Sequence, residues 1–176
     1  MILNQFKVSI KVLRTNNGLE FALSTFYASK GILHQLSYVE SPQQNAVVER
    51  KHQHLLNVAR ALRFHANLPL KFYGDCVLTA TYLINRLPSL LLGNLTPYQK
   101  LLGHPPSYHH LRSFGCLCYA STLTRNRTKF DPSAKTCIFL GYPFGTKGYK
   151  LYDLSTKSVF LSRDVIFKAS VFPFKH

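Results

Sequence analysis

The sequence predicts a mixed α/β region followed by an all-β region, and two observations carry that expectation. Up to about residue 85, short strands lie beside two helix-like apolar stripes. Beyond it come brief runs of β-formers punctuated by Gly and Pro. The charge shifts at the same place: residues 1–85 carry nine Lys/Arg against four acids, and residues 86–176 carry thirteen against three. A chain of 176 residues has room for one compact domain or two small ones.

Residues 7–13 alternate, with Val8, Ile10 and Val12 on one face, which predicts a half-buried strand. The strand runs into Asn16-Asn17-Gly18, a strong turn signal. Residues 26–30 predict a short helix closed by Gly31, with a strand at Ile32 and Leu33. Residues 41–45 read as a loop in which Asn45 is placed to cap the next helix. From Val47 to about His65, Val48, Leu55, Ala59 and Leu62 form a helical apolar stripe, and Arg50, His54 and Asn57 line a polar, basic face. A second helix is expected over residues 70–87, stopped by Pro88. Pro and Gly break residues 88–112 into a connecting stretch. The β-rich runs at 114–120, 136–141, 149–153 and 159–167, separated by turn residues, predict a small sheet or barrel.

The net charge of +15 and pI of about 9.9 point to a polyanionic partner. Hydrophobic residues make up 46% of the chain, enough to build cores, so the charge is not that of a disordered arm. No apolar run reaches bilayer-spanning length, and the N-terminus lacks the basic-then-apolar order of a signal peptide, so secretion and membrane insertion are poor readings. Cys76, Cys116, Cys118 and Cys137 are expected to be reduced and buried, since Cys116 and Cys118 would share one face of a strand. The pairs His52/His54 and His109/His110 have no companion cysteine pair at finger spacing, so no zinc site is expected.

One place offers catalytic chemistry: the strand-end turn at Asn16 together with Glu49 in the first turns of the basic helix. Two-metal phosphoryl transfer needs clustered carboxylates, yet residues 1–74 hold only Glu20, Glu40 and Glu49 and no aspartate. Asn16 offers a neutral oxygen without the negative charge that Mg²⁺ sites use. On residues alone, Glu49 reads first as a solvated helix residue placed favourably near a helix N-terminus. Candidate contacts to nucleic-acid phosphates are Arg50 and Lys51 on the helix and Arg125, Arg127 and Lys129 in the loop after the first β-run. Each taken singly also reads as a solvated surface charge.

Longer strings narrow the choice. Arg14-Thr-Asn-Asn-Gly-Leu-Glu20-Phe21 resembles the Arg-Ser/Thr-Asp-Asn-Gly-x-Glu-Phe motif of copia-type retrotransposon integrases. Ser41-Pro-Gln-Gln-Asn-Ala-Val-Val-Glu-Arg-Lys51 resembles the segment holding the third acid of that family's Asp-Asp-Glu triad. Further matches lie at Phe72-Tyr-Gly-Asp-Cys76, Tyr82-Leu-Ile-Asn-Arg-Leu-Pro88, Lys129-Phe-Asp-Pro132, Phe139-Leu-Gly-Tyr142 and Gly148-Tyr-Lys-Leu-Tyr152, so the resemblance runs nearly end to end. It implies the integrase region of a Gag-Pol polyprotein, arranged as a truncated RNase H-like core over residues 1–87, a linker over 88–112, a small SH3-like β-barrel over 113–170 and a tail over 171–176.

The resemblance carries the third acid onto Glu49 and the second onto position 16, where this chain has Asn16. The first aspartate and the zinc-binding His/Cys domain would lie N-terminal to everything here. Thirty-two residues separate Asn16 from Glu49, somewhat fewer than the family often shows. Ala46 and Tyr73 stand where the family usually has Gly and Trp. The intact family uses Mg²⁺ or Mn²⁺, which this chain is expected not to bind, Glu49 being a vestigial ligand. The expected function is a catalytically dead integrase fragment that contacts the DNA backbone without sequence preference, self-associating or joining intact integrase; its location is open, intracellular, and nuclear if it acts on DNA. Two other readings stand beside it: a non-catalytic basic DNA-binding remnant and a translated pseudogene product without function. Missing sheet neighbours would leave residues 1–85 marginal alone, while the barrel region holds together.

Overall fold

The computed structural model describes residues 8–16, 18–38, 46–122, 130 and 132–175. Two compact units divide the chain, Met1–Gln53 and His54–His176, so the change of texture near residue 85 falls within the second unit.

The first unit is built on a parallel strand pair, β1 (Val12–Thr15) and β2 (Leu33–Leu36), in register from Val12 opposite Leu33 to Thr15 opposite Leu36. A 3-10 turn at Leu19–Phe21 and helix α1 (Ser24–Ser29) connect them. Gly31, at φ +64°, supplies the left-handed turn after α1. The alternating run expected at 7–13 pairs later than its pattern indicates, because pairing is set by β2. Val8 and Ile10 precede β1 and stay 60% and 40% exposed. Tyr27 is the one buried large apolar side chain among this unit's described residues, whereas Leu19, Phe26, Leu33 and Leu36 are exposed. Parallel strands are ordinarily covered on both faces, so this unit holds little hydrophobic stabilisation of its own.

Helix α2 (Ala46–His65) runs over the span the apolar stripe predicts, and Asn45, its expected cap, lies outside the described residues. Ala59 is fully buried, with Leu55, Val58 and Leu62 packed beside it, while Val48 at the other end of the stripe is exposed. The expected second helix begins as a 3-10 turn at Leu70–Phe72 and continues as α3 (Tyr73–Ile84). Residues 88–112 are more ordered than a connector. They hold a 3-10 turn at Leu90–Leu92 and helix α4 (Pro97–Leu102), whose Thr96 cap accepts the Gln99 amide at 2.9 Å and whose end is closed by Gly103.

Five antiparallel strands follow: β3 (Leu117–Ser121), β4 (Ala134–Gly141), β5 (Tyr149–Asp153), β6 (Val159–Ser162) and β7 (Val165–Lys168), in the spatial order β6-β5-β4-β3-β7. The run expected at 159–167 is thus two strands, broken at Arg163 and Asp164. From Cys137 onward the central strand β4 is buried on both faces. Cys137 and Phe139 join Cys116, Cys118, Ala120 and Leu151 in one core cluster, and Ile138 and Leu140 join Ala59, Phe72, Cys76 and Ala80 in the other. That double burial explains its continuous apolar run. All four cysteines are buried free thiols, and burial raises each thiol pKa, to about 11 at Cys76, Cys116 and Cys137.

Helix and sheet approach so closely that two glycines are required. Gly115 (φ +76°) would drive a Cβ into that of Ala66, and Gly141 (φ +115°) would drive one into the Thr79 hydroxyl. Pairing of β4 with β5 shifts register between Phe139 and Gly141, where the chain bends under α3.

Candidate nucleic-acid interface

In the first unit, Asn16 directly follows β1. Its side-chain oxygen accepts the Gly18 amide at 3.3 Å, and its backbone oxygen accepts the Thr15 hydroxyl at 2.9 Å. Asn16 therefore acts as a turn-stabilising residue, its acceptor already engaged. Thr15 also lies 2.8 Å from His34 Nε2, and the His34 ring packs 4.6 Å from Tyr27, which fixes the strand end from which Asn16 emerges. Glu49, Arg50 and Lys51 are exposed in the first turns of α2. Among the described residues, no group of three or more His, Cys, Asp and Glu could hold a metal ion. Asn16 supplies only an uncharged oxygen, and Glu20 and Glu49 belong to no such group. Arg125, Arg127 and Lys129 lie outside the described residues.

The second unit distributes charge unevenly. Each of its described acids faces a cation: Asp75 with Lys150 at 2.6 Å, Asp153 with Lys135 at 3.6 Å, and Asp164 with Arg163 at 3.7 Å. Lys150 thus spends its charge internally. Lys71 donates to the Tyr152 hydroxyl at 2.8 Å and lies over that ring. Arg112 and Lys147 have no carboxylate partner among the described residues.

A histidine–tyrosine cluster, whose histidines the sequence presents only as unmatched zinc ligands, lies at the end of α3. Tyr82 stacks on Tyr142 with ring centres 4.2 Å apart, and the Arg86 guanidinium covers the Tyr82 ring at 3.4 Å. The Tyr82 hydroxyl is 2.6 Å from His110 Nε2, Tyr142 accepts the Arg112 amide at 3.0 Å, and Tyr149 donates to the His110 carbonyl at 3.3 Å. Burial, then the charges of Arg86, His109 and Arg112, lower the His110 pKa, so the neutral ring is favoured and Nε2 can accept the Tyr82 proton. Burial raises the phenol of Tyr82 and pushes that of Tyr142 up to about 12.

Residues 116–176 match the retroviral polymerase SH3-like domain family, so the five-stranded sheet belongs to a domain of retroviral polymerase type. Across the whole chain, the retrovirus-related Pol polyprotein from transposon RE1 of Arabidopsis thaliana is 38% identical over 174 residues, 98% of this chain and 12% of that one. The corresponding polyprotein from transposon TNT 1-94 of Nicotiana tabacum is 39% identical over 164 residues, 92% of this chain and 12% of that one. The chain belongs with the copia-type retrotransposon Pol polyproteins and spans about an eighth of the length of these relatives. A solved structure of the simian T-cell lymphotropic virus intasome in complex with PP2A regulatory subunit B56 gamma aligns at a TM-score of 0.43 and 18% identity, covering 93% of this chain and 59% of that one.

Proposed function

We propose that this chain is an integrase segment of a retrotransposon polyprotein, the C-terminal part of an RNase H-like core joined to an SH3-like domain, that holds DNA through its basic surface and performs no strand transfer. The observation that carries the reading is the charge: every described acid of the second unit is matched by a cation, leaving a large excess of Lys and Arg. Glu49 remains as a vestigial metal ligand, while Arg50, Lys51, Arg125, Arg127 and Lys129 supply phosphate contacts. Mg²⁺ and Mn²⁺ have no role in this chain, because position 16 offers an amide. Self-association or association with intact integrase would place these contacts in a larger nuclear assembly.

The test is fluorescence anisotropy of the whole chain with a labelled duplex across a salt series. Affinity should fall on the order of a hundredfold or more between about 50 and 200 mM salt and be indifferent to sequence. Weak dependence on salt would remove the phosphate-contact reading. A strand-transfer assay in Mg²⁺ or Mn²⁺ should give no product above a Glu49→Ala control. Product above that control would overturn the inactive assignment.

A further inference from the structure

A cavity of about 430 Å³ opens in the second unit beside the histidine–tyrosine cluster, lined among others by Tyr82, His110, Arg112, Tyr142, Lys147 and Arg163. Its wall is built before any ligand arrives. The hydroxyls of Tyr82, Tyr142 and Tyr149 are engaged with His110 or with the Arg112 amide, and Tyr82 and Tyr142 brace each other face to face. Arg112 is held by two bonds from one guanidinium nitrogen, to the carbonyls of His109 at 2.8 Å and Leu111 at 2.7 Å, which leaves its other nitrogens unspent by these bonds.

The lining contains Arg112, Lys147 and Arg163 and no carboxylate. Arg163 is the cation matched to Asp164, 3.7 Å away, but both side chains are 74% exposed, so the pairing offsets its charge only weakly. All three cations are exposed, so their mutual repulsion is small, and what they offer an anion is their combined field around one concavity. The volume exceeds what a bare phosphate fills and lies in the range of small-molecule sites, and Tyr142, Tyr149 and His110 bring aromatic surface to the lining, Tyr82 being covered by Tyr142 and Arg86.

We propose that this cavity seats one nucleotide, its phosphate toward Arg112, Lys147 and Arg163 and its base along the tyrosine–histidine wall. The proposal rests on the nucleic-acid reading above and deepens it: the nucleotide belongs to a strand rather than to a free mononucleotide. A fluorescent 5′-phosphorylated single strand and AMP are each titrated into the whole chain. The variant Lys147→Glu/Arg163→Glu is compared with Lys157→Glu/Lys168→Glu, which changes the charge equally at exposed positions outside the lining. The His110 ring resonance is followed against pH with and without ligand.

The pocket variant should lose at least about tenfold more strand affinity than the control, and the strand should raise the His110 pKa by placing an anion near it. Equal losses in the two variants, with His110 unmoved, would overturn the site while leaving diffuse DNA binding intact. Binding of AMP but not the strand would overturn the strand assignment. Binding of neither would overturn the site, and the duplex titration above then decides the nucleic-acid reading separately. The melting temperature of each variant separates lost affinity from lost fold, and the His110 titration of the unaltered chain decides the matter should the variant unfold.

Discussion

Lys150 Nζ lies 2.6 Å from Asp75 Oδ1, an ion pair that ties strand β5 to the first turn of α3. Both side chains are partly withdrawn from water, and Asp75 sits where a helix N-terminus favours a carboxylate. Removing the lysine therefore costs less than removing the acid, because Asp75 keeps the helix field while a stranded Lys150 keeps nothing comparable. Lys150→Ala should lower stability by about 1 kcal/mol and Asp75→Ala by about 2 kcal/mol, read by urea denaturation of the whole chain. The opposite order would show that the pair is too solvated for this asymmetry to matter.

The same contact surface bears on which pieces of the chain can stand alone. A fragment of residues 113–176 would expose Ile138, Leu140 and Tyr152, which pack against Phe72, Cys76 and Ala80. Each such side chain contributes roughly 1.5–3 kcal/mol on burial, a large share of a small domain's stability. The fragment should melt without cooperativity and bind a hydrophobic dye, whereas residues 54–176 should melt cooperatively. A sharp transition from the shorter piece would show that the strands suffice, as their sequence pattern alone suggests.

Gly141 offers a local test of helix-on-sheet packing. At φ +115° a side chain is strained whatever the space, and a Cβ would also meet the Thr79 hydroxyl. Gly141→Ala should cost about 2–4 kcal/mol, and adding Thr79→Ala should recover only the steric part. Full recovery in the double variant, measured by thermal melts, would mean that the backbone relaxes to a permitted angle.

Elements whose residues carry their own signal were legible in the sequence. The run at 149–153 coincides with β5, and the α2 stripe marked Ala59 as core, whereas Pro97 and Gly103, read as breakers of a connecting stretch, instead bracket α4. What escaped was set by partners distant in sequence. The alternation at 7–13 says nothing of where β2 will pair, and the apolar run of β4 does not disclose that α3 covers one of its faces. The basic residues were visible as charges, but Tyr82, His110, Tyr142 and Arg163 meet only when four separate stretches of chain fold together.

Asp153 should give the protein an acid-sensitive stability. It is fully buried, and its Oδ1 accepts the Ser155 hydroxyl at 2.6 Å and the amides of Ser155 and Thr156 at 2.8 and 3.2 Å. Those bonds, the Ser155 hydroxyl foremost, hold its carboxyl well below the usual range despite burial. Between the folded and unfolded pKa values the unfolded chain binds more protons, so this stabilisation is complete above the unfolded value of about 3.9 and is lost as pH falls below it. Asp153→Asn should cost about 1–3 kcal/mol near neutrality and flatten the fall in melting temperature on acidification. An unchanged acid limb in the variant would assign that limb to other carboxylates.

Position 16 provides the last test. Asn16→Asp places a carboxylate where the side chain now accepts the Gly18 amide at 3.3 Å, a bond that an aspartate can also accept, so the turn should survive. The new charge joins Glu49 and Glu20, whose carboxylate lies against Gly18, yet the described residues gather no group of three metal-binding side chains there as the chain stands. Mg²⁺ should therefore leave the melting temperature of both the native chain and the variant unchanged, and neither should join DNA ends. A Mg²⁺-dependent rise in melting temperature confined to the variant would mean that the introduced carboxylate and Glu49 approach closely enough to share an ion, and that the asparagine alone had silenced the site.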